Sequence, residues 1–310
     1  MHEIQCYSCP RKCGADRSGL RGDDGKQGIR RVGYCGVSNK IMISRAALHF
    51  WEEPCLSGKE GSGTVFFSGC NLRCVYCQNK EISRAATGHE VTEEELGNEF
   101  LRLQDMGANN INLVTPSHYY RQIKKSLLLV KDRLKIPVVA NTSSYDDTEV
   151  LKEMEGLIGI YLADFKYITP ELAAKYSNAA DYPEIAKKAI AEMFRQVGEP
   201  EFDERGMMKK GIIVRNLLLP GHVKESKACI EYIYKTYGDS VFISLMNQYT
   251  PFKIPEEFKE LDRKVTKREY ARLVDYALEL GITNAFIQEG DTAKESFIPE
   301  FEHGENKTSF

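Results

Sequence analysis

From residue 64 onward, short β-branched and apolar runs alternate with amphipathic stretches. The runs at 64–68, 110–115, 137–142, 158–165, 212–219 and 241–246 predict strands, and 284–288 predicts a weaker one. The stretches between them carry helical punctuation. Thr92-Glu-Glu-Glu95 is a capping box, followed by Leu96, Phe100, Leu103 and a closing Gly107. Ile123, Leu127, Val130 and Leu134 make the stripe of a second helix, and Val150, Leu151 and Met154 that of a shorter third. Ile185, Ala189 and Met193 mark a fourth, ended by Gly198. Thr266 and Glu269 cap a last helix with Tyr270, Leu273, Ala277 and Leu280 on one face.

Near-continuous apolar strands alternating with helices predict an α/β fold with a parallel sheet covered by helices. Right-handed crossovers then favour a barrel or an open arc of one, with functional groups at the carboxyl ends of the strands. Residues 1–60 differ, being rich in Gly, Arg and Cys with little periodicity, and 199–210 read as an exposed loop. The expected division is a Cys-rich, metal-binding segment at 1–60, the barrel at 61–290 and a tail at 291–310.

At 310 residues the chain can bury one barrel-sized core. A net charge of −3 gives no electrostatic reason to expect nucleic acid or an anionic membrane as partner. No apolar stretch approaches the ~20 residues that span a bilayer. The start lacks the layout of a signal peptide, and nine cysteines in metal-like clusters point to a reducing, cytoplasmic setting.

The first strand ends at Gly69 and runs into Cys70-Asn-Leu-Arg-Cys74-Val-Tyr-Cys77. Three thiolates in one loop would leave one iron of a cubane cluster without a protein ligand, free to bind a small molecule. The x3–x2 spacing, with aromatic Tyr76 before the last cysteine, resembles the signature of the radical S-adenosylmethionine (SAM) superfamily. Over nearly the full length the chain is similar to the branch close to pyruvate formate-lyase activating enzyme. The residues that carry this are Cys9-Pro-Arg-Lys-Cys13, Gly33-Tyr-Cys-Gly36, Glu52-Glu-Pro54, Asn110-Ile-Asn-Leu-Val-Thr-Pro116, Asp164-Phe-Lys-Tyr167 and Asn247-Gln-Tyr249.

The resemblance implies a partial (β/α)6-type TIM barrel with a [4Fe-4S] cluster on Cys70, Cys74 and Cys77, and SAM on the fourth iron. It further implies one-electron cleavage of SAM to a 5′-deoxyadenosyl radical that abstracts hydrogen. A flavodoxin- or ferredoxin-like electron donor and a glycyl radical enzyme as target follow from the same likeness. Position by position, Tyr76 matches the aromatic near adenine and Asn79 the asparagine after the cluster loop. Asp164 and Lys166 match an Asp-x-Lys strand whose lysine meets the SAM carboxylate. Two segments depart from the branch. Ser57-Gly-Lys-Glu-Gly-Ser-Gly63 stands where activases have Gly-Pro-Gly-Arg, and Val114-Thr-Pro-Ser117 replaces Gly-Gly-Glu-Pro.

The strand-end reading independently offers Asn141, Asp164, Lys166 and Arg215 for binding SAM, because charges inside apolar strands cost energy unless paired. A structural salt bridge across the barrel is the competing account of the same residues. His118 could join the site or be a hydrogen-bonded structural residue. His49 and His222 have no evident partner. Cys55 and Cys229 read as packing, and Trp51 as packing the amino-terminal segment onto the barrel.

A second set, Cys6, Cys9, Cys13 and Cys35, has spacing x2, x3 and x21. Four thiolates suit a closed zinc site or a complete auxiliary [4Fe-4S] cluster. Two readings compete with glycyl-radical activation. One is radical modification of a small molecule or peptide; the other is a non-catalytic iron–sulfur or zinc protein serving electron transfer or as a scaffold.

Overall fold

The computed structural model describes residues 6–15, 17, 32–84 and 87–288. The expected tail at 291–310 lies outside them. In chain order the strands are β1 (Ile41–His49), β2 (Ser62–Phe67), β3 (His89–Val91), β4 (Ile111–Val114), β5 (Val138–Thr142), β6 (Ile160–Asp164), β7 (Glu201–Phe202), β8 (Met208–Leu217), β9 (Phe242–Met246) and β10 (Ala285–Ile287). The helices are α1 (Pro54–Ser57), α2 (Lys80–Arg84), α3 (Glu93–Asp105), α4 (Tyr120–Val130), α5 (Thr148–Lys152), α6 (Pro170–Ser177), α7 (Tyr182–Val197), α8 (Val223–Tyr237) and α9 (Lys267–Glu279). Thr92 and Thr266 complete the expected capping boxes with Glu95 and Glu269.

One sheet runs in the order β10-β9-β8-β6-β5-β4-β2-β1-β3, with β7 paired to β8 outside that path. From β2 to β10 every neighbouring pair on the path is parallel; β1 pairs antiparallel with both β2 and β3. The sheet stays open, a partial β/α barrel. Outward residues such as Val65, Leu113, Ala140, Tyr161 and Val214 pack under the helices in the main core.

The inward face is divided. Val139, Ile160, Leu162, Met208 and Ile213 form a lower apolar cluster with Cys55 and Leu56 of α1. Residues 54–57 thus fill the inside of the barrel, so part of the amino-terminal segment is core. Above this layer the inward positions turn polar. Asp164 stands directly opposite Arg215 in the β6–β8 register, and Arg215 opposite Ser244.

Two expectations are corrected. The stretch 199–210 is not simply an exposed loop: Glu201–Phe202 pairs antiparallel with β8, and Met207 and Met208 are buried. The apolar cluster beneath the barrel recruits Met208, which explains why a charged-looking segment enters the sheet. Trp51, expected to pack the amino-terminal segment onto the barrel, lines the pocket with a 57% exposed side chain.

Candidate active site

The loop after β2 reaches its position through close backbone contacts. Gly69 has φ +83°, and a Cβ there would lie 2.7 Å from the Cys35 carbonyl oxygen, so only glycine lets the loop pass the Cys35 turn. Beyond it, Cys70 Sγ accepts the backbone N–H groups of Leu72 (3.3 Å) and Arg73 (3.5 Å), which curl the loop around its first sulfur. Ser177 at the end of α6 donates to Cys74 Sγ at 3.0 Å. The hydroxyl of Tyr167 lies 2.9 Å from that of Ser177 and donates to Tyr76 at 2.7 Å.

Cys70, Cys74 and Cys77 line one pocket at the carboxyl ends of the strands. Burial pushes the Cys70 thiol up to about 12, with the charges of Cys74 and Cys77 adding to it. Thiols so placed ionise when a metal takes the proton's place. Among the described residues no three His, Cys, Asp or Glu side chains converge as ligands of a single ion. This holds for Cys6, Cys9, Cys13 and Cys35 as well. Three cysteines in one loop without a fourth suit a cubane core with one iron open to another ligand.

The pocket also contains Tyr76, Asn79, Asn141, Asp164, Lys166 and Arg215, so every residue expected to bind cofactor lies in one lining. Asp164 accepts Lys166 Nζ at 2.6 Å through one oxygen and Arg215 Nε at 2.9 Å through the other. Arg215 Nη2 donates to Asn141 Oδ1 at 2.6 Å. Burial opposes ionisation of Asp164, yet the Arg215 guanidinium and Lys166 ammonium hold its carboxyl below the usual range. Lys166 has three donors; Asp164 takes one, and the others remain for a ligand.

Glu52 is a pocket-lining residue that sequence reasoning left unassigned. It enters from the segment before α1, its Oε1 accepting from Asn112 (2.9 Å) and Asn141 (3.2 Å) and its Oε2 from Arg215 (3.3 Å). Burial pushes its carboxyl up, against the pull of Arg215. The adjacent acids of Glu52-Glu-Pro54, in an otherwise basic and glycine-rich stretch, were the available signal.

Other candidates separate cleanly. His49 lines the pocket edge-on to Phe66, ring centroids 6.0 Å apart. His118 is buried outside the lining, and its Nε2 donates to the Ser68 carbonyl at 2.8 Å. Burial, with Arg17 adding, lowers it to about 3, a neutral structural imidazole. His222 accepts or donates to Tyr176 at 3.1 Å, and Cys229 is buried within α8. None of Cys6, Cys9, Cys13 and Cys35 lines the pocket, and the Cys35 carbonyl accepts the N–H of Cys70 at the start of the cluster loop.

No helix among the described residues is long and apolar enough to cross a membrane. The uncharacterized protein MJ0674 of Methanocaldococcus jannaschii is 26% identical over 287 residues, 89% of this chain and 73% of that one. The pyruvate formate-lyase-activating enzyme of Clostridium pasteurianum is 50% identical over 40 residues, 13% of this chain and 17% of that protein. A radical SAM methyltransferase from Sphaerobacter thermophilus superposes with a TM-score of 0.51 at 14% identity, over 73% of this chain and 66% of that one; this likeness concerns the fold. Streptococcus suis SuiB bound to S-adenosylmethionine gives 0.48 at 14% identity over 71% of this chain, which spans about half (48%) of SuiB. Residues 64–199 match the model of the Radical SAM superfamily. That stretch holds the three-cysteine loop, Asn141 and the Asp164–Lys166 pair.

Proposed function

We propose that this protein cleaves SAM reductively, abstracts hydrogen from a substrate in the same pocket, and has a glycyl radical enzyme as its target. The observation that carries the reading is one lining shared by Cys70, Cys74 and Cys77 with Lys166, Asp164 and Arg215. When bound, the cluster and SAM supply one-electron cleavage of the sulfonium to methionine and a 5′-deoxyadenosyl radical.

The chain's own residues do the remaining work. Lys166 offers its spare donors to the carboxylate of SAM, and Asp164 fixes the ammonium through a bond of 2.6 Å. Tyr76, held by Tyr167, presents its ring to the pocket beside the cysteines. Phe66, Val114, Leu217 and Met246 form an apolar wall that keeps water and stray hydrogen donors from the reacting atoms. Exposed Trp51 also lines the pocket, which puts part of the lining within reach of solvent. The short match to an activating enzyme supports the same target. A flavodoxin- or ferredoxin-like protein would deliver the electron.

One observation favours a second reading, a small polar molecule or short peptide as substrate. Glu52 lines the pocket although cluster binding does not need it. The two readings part experimentally. The anaerobically reconstituted protein is mixed with dithionite, SAM and pyruvate formate-lyase. A glycyl radical signal on the lyase by electron paramagnetic resonance (EPR) is the expected result. If 5′-deoxyadenosine forms while the lyase stays silent, that target is refuted and the small-substrate reading takes its place.

A further inference from the structure

The second cysteine set sits against the back of the first. Cys6, Cys9 and Cys13 come from one turn, closed by Cys6 N–H to the Ala15 carbonyl (2.9 Å) and Gly14 N–H to the Cys6 carbonyl (3.2 Å). Cys35 comes from another, closed by Gly36 N–H to the Gly33 carbonyl at 2.9 Å. The turns meet at Gly33, where a Cβ would lie 3.2 Å from Cys35 Sγ and 3.6 Å from Cys13 Sγ.

Two independent observations point to a ligand between them. The first is where the backbone amides aim. Ser8 N–H is directed at Cys6 Sγ and Arg11 N–H at Cys9 Sγ, two residues on in each case. Leu72 N–H reaches Cys70 Sγ with the same offset in the cluster loop. A neutral thiol is a weak acceptor; a metal-bound thiolate is a strong, charge-assisted one.

The second is Arg17, only 5% exposed, with Nη1 3.4 Å from Cys6 Sγ. Among the described residues its other hydrogen-bond partners are the neutral carbonyls of Val37, Ser38 and His118, and no carboxylate pairs with it. A buried cation needs a countercharge. Four thiolates on a zinc ion or on an oxidised cubane core leave a net charge of about −2, which supplies it.

We propose that Cys6, Cys9, Cys13 and Cys35 form a second, tetrathiolate metal centre with Arg17 as its buried countercharge. With all four positions taken by protein, the metal has no open site for substrate. The centre lies one hydrogen bond from the radical SAM loop, because the Cys35 carbonyl accepts the N–H of Cys70 at 3.3 Å. This inference does not depend on the SAM chemistry, and the test keeps the two apart.

The protein is purified anaerobically as wild type, as Cys70→Ala/Cys74→Ala/Cys77→Ala and as Cys9→Ser/Cys13→Ser, and iron and zinc per chain are counted by mass spectrometry. The triple variant is expected to retain metal that the double variant loses. About one zinc identifies a single ion, and about four irons with a cubane Mössbauer spectrum identify a second cluster. Wild type needs no variant to fold. It should carry about four irons plus either that zinc or about four more irons. A wild type with only about four irons and no zinc overturns the proposal, as does a folded triple variant that holds neither metal.

Discussion

Glu52 Oε2 accepts a hydrogen bond from Arg215 Nη1 at 3.3 Å in the interior of the barrel, across 163 residues of chain. Side-chain exposures of 10% and 11% make this a buried ion pair, not a surface one. It ties the amino-terminal segment to the strand that also supports Asp164. The plug of residues 54–57 and the polar floor of the pocket are thus one construction.

Removing Glu52 should therefore cost stability. Glu52→Ala leaves Arg215 with Asp164 as its one ion-paired carboxylate and Glu53 farther off, in a buried site where breaking a pair typically costs about 3–5 kcal/mol. Glu52→Gln retains an acceptor for Arg215 and should lose less. Urea denaturation of the two variants tests the ordering; equal midpoints for both and wild type would show that Glu52 anchors nothing.

Lys166→Met should weaken SAM binding and spare the cluster. A hydrogen bond to a charged group contributes about 1.5–3 kcal/mol, so the dissociation constant should rise about 10- to 100-fold. Equilibrium dialysis of labelled SAM against the reconstituted variant measures this, with iron content as the internal control. Unchanged affinity would assign the Asp164–Lys166 pair to barrel stability alone.

Arg11 is a positioning residue for the cluster loop. Its Nε donates to the Asn71 carbonyl at 2.8 Å and its Nη2 to those of Leu72 (3.5 Å) and Ser177 (3.0 Å), while Tyr34 and Tyr145 flank the guanidinium. Arg11→Ala should lower iron retained per chain several-fold after reconstitution and alter the EPR line shape of the reduced cluster. Arg11→Lys should restore little, since an ammonium cannot reproduce the planar fork. A variant that loses melting temperature while keeping the wild-type iron content and spectrum would reduce Arg11 to a structural role.

Acid sensitivity should trace to His118. Its folded value near 3 lies below the ordinary 6.5, so below pH 6.5 the unfolded chain takes up a proton that the fold refuses. Stability falls with pH across the window from 6.5 to 3, by at most about 1.4 kcal/mol per unit. Asp146, pushed up to about 6 from 3.8 by burial, acts with the opposite sign between those values, so the comparison is made between wild type and His118→Asn. The variant should gain on wild type as pH drops from 6.5. Parallel melting curves at all pH values would contradict the assignment.

The strand ends were legible because charge inside an apolar run stands out: Asp164, Lys166 and Arg215 announce themselves, and the strand register pairs Asp164 with Arg215. The cysteine loop was legible from spacing alone. Glu52 was not assigned, because its partners Asn112, Asn141 and Arg215 lie 60, 89 and 163 residues away and only the closed fold assembles them. Strand β1 was missed for a related reason. Ile41–His49 bulges between Ile43 and Arg45 against β2, which breaks the alternation that identifies strands.

The central claim is that the loop of Cys70, Cys74 and Cys77 holds a cluster on which SAM is cleaved. It is tested most directly by incubating anaerobically reconstituted, dithionite-reduced protein with SAM and assaying 5′-deoxyadenosine by mass spectrometry beside the Cys70→Ala/Cys74→Ala/Cys77→Ala variant. The account expects 5′-deoxyadenosine and methionine in equal amounts from wild type and none above background from the variant. Equal traces from both would contradict it.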